Sequence, residues 1–337
     1  MAKASGGALA AQITLGGGFG FISTGYQNVE FAEKEIEIAR SLLSSSQFNN
    51  SISTRLPIGV GFFGWELEQR PEAVQVLEYV LRRRDIRALW LSCGRDLPRW
   101  IKTIREADSN ERTLIFVQVN TTPEAIESYT CWDIDVLVVQ GNEAGGHGLG
   151  IAPPLVTLLP SILAAVEPLR PLVHGPLPIL GAGGIATGSQ VAAILTLGAS
   201  GAVIGTSLTV SPESLIPESK KETLLNVARN FRIDDNPTIR SPIFDDLMGV
   251  ADKWPDGITG RGLRMKAMLD DEVSGISMGA RRERYEAGKG SGGTHEIIWS
   301  GTSIGLRTEP SFAADLIREL HEEAIRSIKE ASGLLAD

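Results

Sequence analysis

Residues 135–148 read DVLVVQGNEAGGHG, an unbroken aliphatic run ending in a glycine-rich turn that carries one histidine. A strand covered on both faces has no use for alternation and reads as a continuous apolar run, which is the mark of a parallel sheet. Working outward, the same unit recurs: a short β-branched or aliphatic run, a glycine or polar turn, then a segment of helical periodicity. The runs fall at residues 20–24, 57–62, 88–92, 113–119, 135–140, 178–182 and 201–204, which makes seven strands. Between them the periodicity predicts helices, as over 71–83, where Val74, Val76, Leu77, Val80 and Leu81 line one side, and over 189–197, where Val191, Ile194 and Leu195 do. Repeated βα units on short loops predict an α/β chain folded as a (β/α)8 TIM barrel.

An eighth strand would have to precede Ala4, where only three residues stand. The expected barrel therefore lacks most of its first strand, with late initiation of the chain as the expected cause, because an open seven-stranded sheet leaves two unpaired edges. The 337 residues exceed one barrel by about 90. The expected organisation is a barrel core over 1–211, a smaller helical lid over 212–295 and a return segment over 296–337. The lid region contains scattered Pro and Gly and helical stretches such as 220–230, without strand-like runs. The last segment predicts an amphipathic helix over 311–335, with Phe312, Leu316, Leu320, Ala324 and Ile328 at i, i+4 spacing.

With 42% hydrophobic and 22% charged residues the chain has ample material for one large core. A net charge of -9, with no basic cluster beyond RRER at 281–284, excludes nucleic acid as the expected partner. Residues 171–212 carry no Asp, Glu, Lys or Arg, but their glycines cut the run into pieces too short to span a bilayer, so no membrane association is expected. The opening MAKASGGALAAQ is too glycine-rich for a secretory leader, and the two cysteines, Cys93 and Cys131, read as buried thiols of a reducing compartment. The expected address is the cytoplasm.

The strongest chemical signal is QGNEAGGHG, residues 140–148. Residues that follow a barrel strand line its active mouth, and the glycines around His147 let backbone approach a planar ligand closely. A histidine that only caps a loop is the plainer reading, and the position after a strand favours function over it. His174, His295 and His321 lack such context and read as surface residues. The second signal pairs PILGAGGIATG, residues 178–188, with AVIGTS, residues 202–207. In phosphate-binding barrels the loops after the last two strands supply backbone N–H groups, and Thr206 adds a hydroxyl. Gly181, Gly183 and Ala186 also satisfy the dinucleotide pattern G-x-G-x-x-A, but that motif expects an acidic residue about 20 positions on; none occurs before Glu213. Gly61 and Gln118 lie at strand ends where they face either the mouth or the packing. GGGFG, residues 16–20, precedes a strand and reads as the turn into it. Nothing near Cys93 would lower its pKa, and no His or Cys pair has ligand spacing, so neither a nucleophilic thiol nor a metal site is expected.

Taken together these residues resemble the nitronate monooxygenase family, formerly called 2-nitropropane dioxygenases, and its fungal members in particular. MAKASGGALA resembles the family's first-strand Pro-Met-Ala signature without its proline, GGGFGFIS its second strand, QGNEAGGHG its most specific motif, and PILGAGGI with GASGAVIGTS its paired phosphate loops. WSGTSIGL, residues 299–306, resembles a segment that returns to the active site. The resemblance implies FMN as cofactor, with its phosphate on Gly183, Gly184, Gly205 and Thr206 and its ring near Ala2, Gly61, Gln118 and Gly146; Gln140 and Gly181, at their strand ends, complete the cofactor set. His147 would be the base that removes the acidic proton alpha to a nitro group, a step that anionic nitronates bypass. Oxidation by dioxygen would yield a carbonyl compound and nitrite. A chain lacking most of its first strand would hold FMN less firmly, and homodimerisation is left open. Related flavin-dependent enoyl reductases carry similar loops, so an NAD(P)H-dependent reductase stands as the alternative, with a flavin-binding protein that has neither activity behind it.

Overall fold

Two sheets are joined by the segment that leads to His147. The computed structural model describes residues 2–45, 55–108, 113–169, 175–230, 237–265, 274–289 and 295–333. The barrel strands are β1 (Gly20–Ser23), β2 (Leu56–Phe63), β3 (Ile86–Ser92), β4 (Leu114–Val119) and β5 (Val136–Gln140). After the short strand β6 (Gly146–Leu149) come β7 (Ile179–Ala182) and β8 (Gly201–Val203). Without β6 they form one parallel sheet in the order β1-β2-β3-β4-β5-β7-β8, curled into a half-barrel of the TIM-barrel type. The seven expected strands are these seven.

The alternation along each strand explains the sequence. Ile58, Val60, Leu89, Leu91, Ile115, Val117, Leu137 and Val139 are fully buried between the sheet and the helices. The opposite face carries Phe21, Trp90 and Phe116, whose rings meet edge-on or stacked at centroid distances of 5.1 to 6.0 Å. Gly59 is glycine for a packing reason, since a Cβ there would lie 2.2 Å from the Phe21 ring. Helix Pro71–Arg83 opens on its proline and buries Ala73, Val76, Leu77 and Val80, the i, i+3, i+4, i+7 stripe of a half-buried helix.

The closing helix is Ala313–Ser332, packed on helices Gly188–Thr196 and Gly7–Leu15. Leu316, Leu320 and Ala324 are buried as the spacing predicts, whereas Phe312 and Ile328 are largely exposed. A strict i, i+4 row drifts about 40° per step around a helix of 3.6 residues per turn, so the two ends of the row rotate off the buried face.

The place of an eighth stave beside β1 holds Ala4 and Ser5. The Ser5 carbonyl accepts from Ser23 N–H at 2.9 Å, its hydroxyl donates to the Phe21 carbonyl, and the Ala4 carbonyl accepts from Leu215 N–H at 2.9 Å. Residues just past β8 are thereby tied to residues just before β1.

The expectation of a lid without strands is corrected. Beside helices Glu218–Arg229, Ile243–Met248 and Met278–Gly288, the region holds β9 (Thr238–Ser241) and β10 (Ile258–Leu263). These pair antiparallel with β6 in the order β6-β10-β9, with Gly260 opposite His147. TIRS and ITGRGL lack aliphatic alternation because their arginines and glycines serve the loop beneath them. The edge they complete is supplied by a segment about 100 residues away, which no local window contains. Among the described residues no helix is long and apolar enough to cross a membrane.

Candidate active site

Two arginines of the small sheet hold the loop between β5 and β6. The guanidinium of Arg240 donates to the carbonyls of Ala144 (2.7 Å), Gly148 (3.2 Å), Asn142 (3.3 Å) and Gly146 (3.4 Å), and to that of Thr259 on β10. Arg261 adds bonds to the carbonyl and the side-chain oxygen of Asn142 at 3.0 and 2.7 Å. Burial, and next the neighbouring Arg261 charge, push Arg240 down to about 10. Turned carbonyl dipoles thus hold a buried cation against its own desolvation. Below the loop the buried Gln140 side chain accepts from Asn120 at 3.0 Å, while Asn120 also donates to the Gln140 carbonyl.

Just past this loop, in β6, His147 is buried, its side chain 8% exposed. Nε2 lies 2.8 Å from Oδ1 of Asp245, a nearly fully buried residue of helix Ile243–Met248. One ring face stacks on Trp254 at 3.6 Å and 9°, and Trp299 leans in at 4.9 Å and 58°. Trp254 packs in turn against Phe63 and Trp65, and Tyr26 packs against those two. Arg95, in the loop after β3, donates to the Trp254 carbonyl at 2.7 Å and pins this part of the insertion to the barrel. Tyr26 adopts a left-handed backbone (φ 63°), its N–H shared by both oxygens of the buried Glu66 at 3.0 and 3.1 Å. Burial, followed by the Glu66 and Asp245 charges, holds the Tyr26 phenol above its ordinary range. Burial likewise raises Glu66, against the pull of the Tyr26 amide and Arg70.

Behind the histidine, four loops converge. Gly183 and Gly184 both have positive φ, 111° and 72°, and a Cβ on either would press on residues 141–144. The Gly184 carbonyl accepts from Gln190, whose side chain also closes the capping box of helix Gly188–Thr196. Gly205 precedes the short helix Thr206–Thr209, and the Thr206 hydroxyl accepts from Gly301 N–H at 2.8 Å. Thr302 N–H donates to the Glu143 carbonyl at 3.0 Å, so the 299–306 segment does return here.

Of the sequence-predicted residues, Gly183, Gly184, Gly205 and Thr206 come together around the 141–146 loop. Gly61 and Gly146 present open space: the nearest atom to a Cβ on Gly61 is 3.8 Å away, and none lies within 4 Å of one on Gly146. Gln118 is half-buried on the inner face of β4, and Ala2 lies against Gly25 beside Phe63. Gly181 points the other way, toward Ile194 and Leu155 of the helix layer, where it permits close strand-to-helix packing. His321 is exposed, His295 is half-buried, and His174 falls outside the described residues. The buried-thiol expectation is corrected for Cys131, which is exposed on the end of its helix; Cys93 is half-buried, with its thiol pushed up to about 12 by burial. Sequence reasoning missed Arg240, Asp245 and Trp254. They come from a region with no periodic signal, and only the Arg and Trp residues interspersed in it hinted at buried work.

A family model described as nitronate monooxygenase matches residues 1–323. A nitronate monooxygenase of Neurospora crassa is 29% identical over 347 aligned positions, covering 98% of this chain and 89% of that protein. Among solved structures, FabK from Thermotoga maritima superposes with a TM-score of 0.74 at 22% identity, over 99% of this chain and 93% of that one. A nitroalkane oxidase from Streptomyces ansochromogenes does so with a TM-score of 0.71 at 20% identity, over 98% and 95%.

Proposed function

Because the chain belongs to the nitronate monooxygenase family of flavin-dependent oxidoreductases, we propose that it binds FMN and oxidises nitronates and nitroalkanes with dioxygen to a carbonyl compound and nitrite. The single observation that carries the reading is the buried imidazole of His147 directly after Gly146, a glycine with open space where a Cβ would stand. A planar ring fits over a strand that a glycine such as Gly61 leaves bare, and backbone amides at Gly183, Gly184, Gly205 and Thr206 suit a phosphate. When bound, the flavin supplies the redox chemistry with dioxygen.

The chain's own residues do the rest. His147 takes the proton from the carbon alpha to the nitro group; that C–H electron pair moves into the nitro group, giving the nitronate, and a substrate arriving as the nitronate skips this step. The Arg240 guanidinium backs the loop with positive charge, which favours an anion in front of it. Residues 212–295 act as the lid over a core of residues 1–211, and Trp254 of the lid together with Trp299 of the return segment excludes water from the histidine. Ala2, Gln118 and Gln140 frame the ring.

Oxygen uptake tests the reading. The purified protein is expected to be yellow and to consume dioxygen with nitroethane or its nitronate, without NAD(P)H. Oxidation of NAD(P)H with an enoyl thioester, and no uptake with nitronate, would replace this reading by the reductase alternative.

A further inference from the structure

We infer that Asp245 is the positioning residue of this site: it holds His147 in the tautomer protonated on Nε2, which makes Nδ1 the atom that accepts the substrate proton. The inference deepens the functional reading above and rests on it for its catalytic half. An ionised carboxylate can only accept a hydrogen bond, so at 2.8 Å from Asp245 Oδ1 the imidazole Nε2 must be the donor. In a neutral ring the lone pair then resides on Nδ1. A half-turn of the ring about Cβ–Cγ would put Cε1 where Nε2 lies and so break the Asp245 bond, and the turning ring would have to sweep past Trp254, stacked at 3.6 Å, and Trp299. The ring is therefore fixed in plane by the indoles and in sense by the carboxylate.

The proton balance is simple. The C–H bond breaks, the Nδ1–H bond forms, and the electron pair stays on the substrate as nitronate. The imidazolium so created keeps both protons and donates its Nε2–H in the hydrogen bond to Asp245, whose negative charge compensates it without taking the proton. Asp245 belongs to helix Ile243–Met248 and His147 to β6, the strand that follows the β5 loop, so the bond also joins that helix to the strand carrying the base. A site of this design has its base completed only when the insertion is docked.

Two measurements decide it. In ¹⁵N-labelled protein, whose four histidines permit assignment by substitution, His147 is expected to show a protonated Nε2 and a bare Nδ1 at neutral pH; a protonated Nδ1 would overturn the inference. In oxygen uptake, Asp245→Asn is expected to lower the ratio of nitroethane to nitronate turnover by about 10- to 100-fold, with Asp245→Glu recovering part of it. A ratio equal to wild type in Asp245→Asn overturns the positioning role. Should Asp245→Asn fold poorly, the ¹⁵N signature of the unmodified protein and the Asp245→Glu ratio decide alone. Uptake by the unmodified protein with neither substrate would instead sink the functional reading, and the tautomer would still decide the dyad.

Discussion

The guanidinium of Arg240 donates to the carbonyl of Ala144 at 2.7 Å, and the same group gathers the carbonyls of Asn142, Gly146 and Gly148. The loop that carries His147 is thus wound around a cation supplied from about 95 residues downstream. Replacing Arg240 by Gln leaves several buried carbonyls without donors, and each bond to a charged group is worth about 1.5–3 kcal/mol. Part of that is offset, since the buried cation itself is disfavoured. The expected net loss is about 2–4 kcal/mol, read in urea denaturation, together with a fall in bound flavin. Arg240→Lys keeps the charge but not the planar fork, and should recover less than half.

For His147→Asn the expected outcome is a split between substrates. Neutral nitroethane needs a base and should lose about 10²- to 10⁴-fold in kcat/KM, whereas the nitronate, already deprotonated, should lose far less. Equal losses on both would mean that the imidazole serves binding and takes no proton.

The barrel was legible from the chain alone because each of its strands is a local run of aliphatic residues closed by glycine, as in β5 with its VLVVQ. The glycine loops after β5, β7 and β8 were legible as loops for the same reason, being short glycine motifs that directly follow strands. Asp245 and Arg240 were not. Each acts across about 95 residues of chain, and their segments, IFDDLM and TIRS, are too short to show a period, so nothing local marks them before β10 pairs with β6 and β9. Gly181 shows the converse: it belongs to a glycine motif, yet its α-carbon faces Ile194 and Leu155.

Glu66 makes a prediction about pH. Burial raises its folded pKa above the ordinary carboxyl value of 4.5, so between those two values the folded state holds a proton that the unfolded state has released. Its contribution is therefore most favourable below pH 4.5 and is lost as pH rises through the folded value. Glu66→Gln, whose amide oxygen can still accept from Tyr26 N–H, should melt higher than wild type at pH 8, and the gain should shrink or reverse near pH 4. A gain independent of pH would show that the charge at Glu66 has no such cost.

Two glycines separate cofactor space from backbone strain. A Cβ on Gly61 meets no atom nearer than 3.8 Å, so Gly61→Ala should leave the melting temperature of the flavin-free protein where it was. If the ring lies on that bare face, the methyl occupies its place, and flavin affinity should fall by about tenfold or more, since 1.4 kcal/mol of lost contact already gives that factor. Gly183→Ala should behave oppositely. Its φ of 111° and the Ala144 amide nitrogen at 3.1 Å oppose any side chain, so the apoprotein itself should lose about 1–3 kcal/mol. The comparison is read by calorimetry of the apoprotein and by flavin titration. Were Gly61→Ala to bind flavin as tightly as wild type, the bare face above β2 would not be where the ring lies, and the pocket would have to be sought elsewhere along the rim.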